Sequence, residues 1–265
     1  MQIELRFGDS VVMIADEFPE LDVLSPLAVG GTRGRRSATA RGAFRCIAAS
    51  AASSGLDLSG SRVAIQGFGR VGMTIAEELA SAGVRVVALA DDRDAVANES
   101  GVAVDRAIDW MREHDAISGL PEAEPMAKAD IFGIDCDVLV LAGLQGEVTE
   151  TNAGGIRAQI VAEVANGGTT PAADLVLADR GVTVIPDIVA TAGGTVLGYF
   201  EWVQDMQAFF WSEAEITAQL DRIIDEAMDG IGAMASAEKV DLRSAAMMVA
   251  VSRFADATTL RGLYP

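Results

Sequence analysis

Residues 62–91 constrain the fold of this chain more than any other stretch. Arg62–Gln66 (RVAIQ) reads as a short buried strand around the apolar Val63-Ala64-Ile65, followed at once by Gly67-Phe68-Gly69-Arg70-Val71-Gly72. Apolar positions then fall at helical spacing through Met73, Ile75 and Leu79, with Gly83 placed as a C-terminal cap. Val84–Ala90 (VRVVALA) is a second apolar strand, and Asp91 stands at its end. Two strands joined through a helix run parallel, because a crossover returns the chain in the direction it left. Strands covered on both faces need no polar alternation, and these show none. The unit predicts an open, doubly wound, mostly parallel α/β sheet of the Rossmann type.

The glycines match G-x-G-x-x-G, a weak signal alone but a specific one between a strand and a helix. An acidic residue 19 positions after Gly72 adds to it. Gly67 permits the tight turn, Gly69 lets a pyrophosphate approach the main chain, and Gly72 lets the helix pack on the sheet. The amides of the turn, including those of Phe68, Arg70 and Val71, would then hold the diphosphate with help from the helix dipole. Asp91 would accept hydrogen bonds from the adenosine ribose. Asp91 and Asp92 together repel a 2′-phosphate and favour NAD, while Arg93 beside them keeps NADP open.

The alternation continues along the chain. Ser37–Ser54 reads as a helix with Ala43, Ile47 and Ala51 inward and Gly55 as its stop. Val102–His114 reads as a helix, Asp137–Leu141 and Ile160–Val164 as strands. Pro171 opens a helix to Asp179, and Val182–Ile185 is a further strand. Ser212 and Glu215 have capping-box spacing ahead of Ile216, Leu220, Ile223, Ile224 and Met228 on one face, and Val240–Thr259 repeats the pattern. One open α/β domain closed by C-terminal helices is expected.

Charge narrows the partners. With 20 Lys+Arg against 39 Asp+Glu, the net charge is −19, which disfavours nucleic acid and anionic membranes. Lys128 and Lys239 are the only lysines. Abundant carboxylates with scarce lysine suit hydration in high salt, a halophilic reading that competes with GC-rich coding. No apolar run is long enough to span a bilayer, and no signal peptide is expected. Cys46 and Cys136 form no spaced pair, so a reduced, cytoplasmic setting is expected, and a lone His114 gives no multi-histidine metal site.

Further motifs bring in a family. Gly30-Gly31-Thr32-Arg33-Gly34-Arg35 through Ala38-Thr39-Ala40-Arg41-Gly42 resembles the G-G-S…R…A-T-G-R-G segment of the glutamate/leucine/phenylalanine/valine dehydrogenases. The GFGRVG turn is similar, as are Asp137–Leu144 with Thr149…Asn152-Ala153 and Ala162-Glu163-Val164-Ala165-Asn166…Thr169-Thr170-Pro171. So are Ile185-Pro186-Asp187-Ile188, Ala192-Gly193-Gly194, Tyr199-Phe200-Glu201-Trp202-Val203-Gln204 and the terminal Arg261-Gly262-Leu263-Tyr264-Pro265. The resemblance runs from about Ser25 to Pro265 and is closest to glutamate dehydrogenases.

It implies oxidative deamination of an L-amino acid to a 2-oxoacid, with NAD or NADP as hydride acceptor. Thr39 and Asn166 would lie near the nicotinamide and its ribose, and Ala142 and Gly143 would line the adenosine side. Arg35, Thr191 and Gly198 would stand at the substrate end. Thr191 replaces the family's asparagine, Gly198 its serine and Ala40 its glycine, which puts glutamate preference in doubt. The family also carries an N-terminal domain with catalytic lysines and an acid/base aspartate, and residues 1–25 do not resemble it. Hence 1–25 is expected to be a short segment and 26–265 the dinucleotide-binding domain, with no catalytic residue in this chain. The rest would come from a companion chain, or the chain would be a non-catalytic NAD(P)-binding module. A homo-oligomer is possible under either.

The other conspicuous residues have plain readings. Lys128, Lys239 and His114 are expected at the surface. Cys136, between Asp135 and Asp137, is expected to be an unreactive thiol. Phe209, Phe210 and Trp211 read as a helix-end packing cluster. Arg33, Arg35, Arg36 and Arg41 fit two readings equally, an ion-paired start of a helix or an anion site.

Overall fold

The computed structural model describes residues 3–7, 10–14, 32–207 and 209–262. Gly30, Gly31 and Leu263-Tyr264-Pro265 of the family motifs lie outside the described residues, as does most of the 1–25 segment. Within that segment β1 (Ile3–Phe7) and β2 (Ser10–Ile14) pair antiparallel.

The main sheet forms where the sequence pattern predicts it. Its parallel strands are β3 (Arg62–Gln66), β4 (Arg85–Ala90), β7 (Val138–Leu141), β8 (Ile160–Glu163) and β9 (Thr183–Ile185). Two short strands, β5 (Ala95–Ala97) and β6 (Glu124–Met126), add an antiparallel edge, in the order β6-β5-β4-β3-β7-β8-β9. The chain builds outward from β3 through β4, then crosses to the other side at β7. A crevice therefore opens at the carboxyl ends of β3 and β7, the place where such sheets bind ligands.

Register fixes what lines that crevice. Gln66 pairs with Ala90 on one side and Leu141 on the other, and Leu141 pairs with Glu163. The residues that follow, Gly67, Asp91, Ala142 and Val164, are thereby brought to one edge.

Helices cover both faces. On one lie α1 (Ala38–Ser54), α2 (Arg70–Ser81) and α3 (Val104–His114), with α6 (Asp187–Ala190), α7 (Ala192–Gln207), α8 (Glu213–Glu238) and α9 (Leu242–Arg261). On the other lie a 3-10 helix (Lys128–Gly133), α4 (Glu150–Ala153) and α5 (Pro171–Asp179). Among the described residues no helix is long and apolar enough to cross a membrane.

The predicted caps are present. Gly55 closes α1 in the left-handed conformation, and Ser212 and Glu215 form the reciprocal box on α8; Thr170, not expected as a cap, caps α5 ahead of the expected Pro171. The edge strands β5 and β6 and the helices α6 and α7 were not expected.

α1 is the buried hub. Its small residues allow main-chain contact with α7: a Cβ at Gly42 would meet the Gly193 Cα at 3.1 Å, and one at Gly193 would overlap the Ala38 carbonyl oxygen. Two arginine forks fasten it to α8. Arg41 grips Asp221 at 2.9 and 2.6 Å and reaches Glu78 of α2 at 2.7 Å, and Arg45 grips Asp225 one turn on. Both arginines are thereby held protonated more strongly than usual; side-chain hydrogen bonds to Asp221 and Asp225 are the main cause.

Substituting Gly193→Ala forces α1 and α7 apart and should cost about 1–3 kcal/mol of stability. Gly198→Ala, into open space on the same helix, should be neutral or stabilising by up to about 1 kcal/mol. Thermal unfolding of the two variants checks the contrast; equal melting temperatures would contradict this account of the helix contact.

Candidate functional site

The crevice begins as a contact of main chain on main chain. Gly67 has φ of +95°, and a Cβ there would overlap Ala142 and Gly143. A Cβ at Gly72 would overlap the Gly67 carbonyl oxygen. A Cβ at Gly143 would run into the Gln66 carboxamide packed beneath it. Gly69 differs: it is exposed, and a Cβ added there would meet nothing within 4 Å. The first and third glycines thus seat α2 on the sheet, and the second leaves an open cradle.

Above that cradle is the first turn of α2. No side chain caps it, none of its residues is acidic, and Arg70 is exposed. Phe68 points the other way into the core, fully buried, and Val71 is partly buried. At the floor, Gln66 Oε1 is buried without a hydrogen-bond partner. A cradle that a side chain would fill and an uncapped helix start fit a dinucleotide phosphate bound by amides.

Asp91 is more committed than the sequence suggests. One carboxylate oxygen accepts from the amides of Arg93 and Asp94, both at 2.7 Å, and the other from the amide of Ile117 at 2.7 Å. Burial opposes its charge, but those amide donors, aided by Arg93, outweigh it and hold the pKa below its ordinary value. The carboxylate therefore anchors the 91–94 turn to the loop after α3.

Asp92 is free of such work, with its side chain 77% exposed. Arg93 lies between Asp92 at 3.5 Å and Asp115 at 3.7 Å. Lys128, expected to be solvated, instead reaches the Asp92 carbonyl at 3.3 Å and Glu147 at 3.8 Å, because the 3-10 helix folds it over this turn.

The far wall is made of two loops zipped together. Gly146 donates to the Gly167 carbonyl at 2.7 Å, Val148 to that of Gly168 at 3.0 Å, and Thr170 to that of Val148 at 2.9 Å. Asn166 is exposed on its turn beside Gly167, which has φ of +59°. Gly167 in turn donates to Asp187 at the start of α6, at 2.7 Å. Four residues on, Thr191 donates its hydroxyl to the Asp187 carbonyl at 2.7 Å. Thr39 packs across from Gly194 on α7. Thus Ala142, Gly143 and Asn166 share the crevice edge with the glycine turn, and Thr39 and Thr191 continue it along the start of α7.

Gly198 stands farther along α7, and Arg35, in the turn before α1, reaches the same helix. Arg35 is ion-paired with Glu201, whose Oε2 receives it while the buried Oε1 has no hydrogen-bond partner. With Arg41 also paired, two of the four clustered arginines follow the ion-paired reading, and Arg33 and Arg36 are exposed.

The remaining residues divide. His114 ends α3, stacked on Trp110 at 3.8 Å between ring centres, at the surface as expected. Cys136 is buried, and its thiol is pushed up to about 12, chiefly by desolvation; Asp137 and Asp135 add to this. The aromatic cluster needs correction: Trp211 packs edge-on against Phe200 at 5.4 Å, but Phe209 and Phe210 are exposed.

Sequence reading missed a buried charge network behind the loops. Glu163 at the end of β8 is fully buried; it accepts from the Thr169 amide at 2.7 Å and hydroxyl at 2.8 Å, and from the Asp187 amide at 3.0 Å. Arg243 of α9 joins it at 2.8 Å, Asp174 at 2.9 Å and Asp187 at 3.4 Å. The only available signal was an acidic residue inside an apolar strand, IVAEV, which demands a buried partner.

A family profile described as Glutamate/Leucine/Phenylalanine/Valine dehydrogenase matches residues 30–262. The chain belongs to this family. It is 36% identical over 266 residues to the cryptic catabolic NAD-specific glutamate dehydrogenase of Bacillus subtilis, covering 97% of this chain and 62% of that protein. It is 39% identical over 244 residues to the glutamate dehydrogenase of Thermotoga maritima, covering 91% and 58%. The hetero-hexameric glutamate dehydrogenase of Thermus thermophilus, in its leucine-bound form, superposes with a TM-score of 0.85 at 36% identity, over 91% of this chain and 57% of that one. The chain thus spans about 60% of the length of these dehydrogenase relatives.

Asp91→Asn should lower stability at neutral pH by about 1–3 kcal/mol, because three amides lose their charged acceptor. A depressed carboxylate stabilises above its unfolded pKa of about 4 and loses that contribution as pH falls through the folded value. The gap between wild type and variant should therefore narrow below about pH 4. Urea unfolding across pH checks it, and a gap constant with pH would rule out the charge-based anchor.

Proposed function

We propose that this chain is the dinucleotide-binding half of an NAD-dependent amino-acid dehydrogenase of the glutamate dehydrogenase type. The observation that carries the reading is the open cradle at Gly69 beneath the uncapped start of α2, set at the crossover between β3 and β7. Residues 26–265 form the unit, and the part that holds most of the amino acid lies elsewhere, in further sequence or a companion chain.

In this reading the amides of Gly69, Arg70, Val71 and Gly72 hold the diphosphate. Phe68 serves as a buried wedge that fixes the turn. Asp92 takes the adenosine ribose hydroxyls, and Asp91 shapes the turn that presents it. Ala142 and Gly143 line the adenosine side; Thr39 and Asn166 orient the nicotinamide end. When bound, the nicotinamide accepts hydride from the α-carbon of the amino acid. Arg35, Thr191 and Gly198 mark the substrate side. The acidic surface supports a chain kept hydrated in concentrated salt, and its two buried free cysteines suit a reducing cytoplasm.

One observation favours a second reading, a nucleotide-binding module without catalysis. Lys128 is spent on Asp92 and Glu147, and Lys239 sits at the corner between α8 and α9, so neither is placed to activate water on a carbinolamine.

Titration of the chain with NADH, followed by calorimetry or nucleotide fluorescence, should give saturable micromolar binding, tighter than for NADPH because Asp92 repels a 2′-phosphate. Asp92→Asn should weaken NADH binding several-fold, by about 1 kcal/mol, without moving the melting temperature. Absence of saturable binding by wild type would sink the reading. NADH formation from glutamate by the isolated chain would overturn the division of labour.

A further inference from the structure

The Asn166 turn leaves the core at buried Val164, and from 165 to 170 it carries no large apolar side chain. Main-chain bonds from Gly146 and Val148 tie down its carbonyls, and a charge network behind it holds its amides. Thr169 is bound through its amide and hydroxyl by Glu163, and Gly167 through its amide by Asp187. Asp174 lies 2.7 Å from the same Thr169 hydroxyl and shares its single proton with Glu163.

Three carboxylates from β8, α5 and α6 thus surround one short turn, and they repel one another. A single guanidinium faces all three. Arg243 donates from Nε to Asp174 at 2.9 Å, from one terminal nitrogen to Glu163 at 2.8 Å and from the other to Asp187 at 3.4 Å. It also reaches the Thr169 hydroxyl at 3.0 Å. Desolvation works against this cation, yet the bond to Asp174 and the charge of Glu163 keep it more firmly protonated than usual. A planar fork with several fixed donors can serve three acids at once; a lysine ammonium has fewer fixed directions.

Arg243 comes from a distant part of the chain. It is the second residue of α9, whose start is fixed by Asp241 accepting from Ser244 at 2.9 Å. Only Ala245 and Ala246 of this helix are buried, so its attachment lies in the same two turns that present Arg243.

We propose that Arg243 is a positioning residue for the dinucleotide, setting the Asn166 turn from the C-terminal helix through Glu163, Asp174 and Asp187. This rests on the cofactor reading above. Arg243 touches no ligand: it acts by keeping the Gly167 and Thr169 amides bound to their carboxylates, so that Asn166 is presented in one orientation. Pre-organisation of this kind is worth most where a turn of small and polar residues has little apolar packing to hold it.

The test uses the full chain and four proteins: wild type, Arg243→Met, Arg243→Lys and Arg45→Met. The last breaks a comparable arginine fork between α1 and α8, away from the crevice. NADH affinity and amide hydrogen exchange across residues 164–170 are read together. Arg243→Met should weaken NADH binding about tenfold and speed exchange of the Gly167 and Thr169 amides. Arg243→Lys should recover part of both, while Arg45→Met should lower the melting temperature but change affinity less than about twofold.

Equal loss of affinity in Arg243→Met and Arg45→Met would overturn the proposal, leaving only a general stability effect. So would wild-type affinity in Arg243→Met. If the methionine variant does not fold, the lysine variant carries the test, and wild-type affinity with unchanged exchange in it has the same consequence. Failure of wild type to bind NADH overturns the cofactor reading and this proposal with it, a result distinct from binding that ignores Arg243.

Discussion

Three stretches of main chain meet at one point above β3 and β7, and no side chain can stand between them. The Gly67 turn presses on Ala142–Gly143, and α2 presses on the Gly67 carbonyl through Gly72. This contact fixes how low α2 rides on the sheet, and so where its first amides point. It also explains Gly143, which must leave room for the Gln66 carboxamide below it. Gly69 stands outside the contact and has no packing reason to be glycine. A glycine that packing does not require is the sharper sign of a ligand that needs close approach.

Electrostatics supplies the second constraint. A chain with 39 acidic residues and 20 basic ones must place its cations where they do the most. Several arginines face inward to carboxylates rather than outward to solvent: Arg41 and Arg45 between helices, Arg35 on Glu201, and Arg243 on three acids. Arginine suits this because its fork binds a carboxylate through two parallel hydrogen bonds, which fixes geometry as well as charge. The near absence of lysine therefore has a structural counterpart, whatever the solvent conditions favour on the outside.

The sheet's parallel strands and most of the long helices were legible because their signals are local. RVAIQ, VLVL and IVAE are largely apolar runs of strand length, and α5 carries its proline in its first turn. The edge strands were not legible, since AVA and EPM are three residues each and gain their pairing only from a neighbour, β5 from β4 and β6 from β5. α7 was hidden for a different reason. Two adjacent glycines, Gly193 and Gly194, disfavour a helix locally, yet they serve the close contact with α1. At the site, the glycine turn was readable from spacing. The engagement of Asp91 with Ile117 and the union of Glu163 with Arg243 were not, because both join residues far apart in sequence.

The crevice edge is built chiefly from main-chain hydrogen bonds. Leu144 is 69% exposed and Asn166 is also exposed, so neither is held by packing of its own side chain. Their loops are held by the amides of Gly146, Val148 and Thr170, and by carboxylates behind Gly167 and Thr169. Exposed side chains on a backbone fixed from behind can meet a ligand at small entropic cost, because the order they need is already present. Under the proposed function, that arrangement would suit hydride transfer, in which the protein mainly holds two carbon centres in line. It also requires the rigidity to come from the far side of the sheet edge, where Glu163 and the first turn of α9 meet.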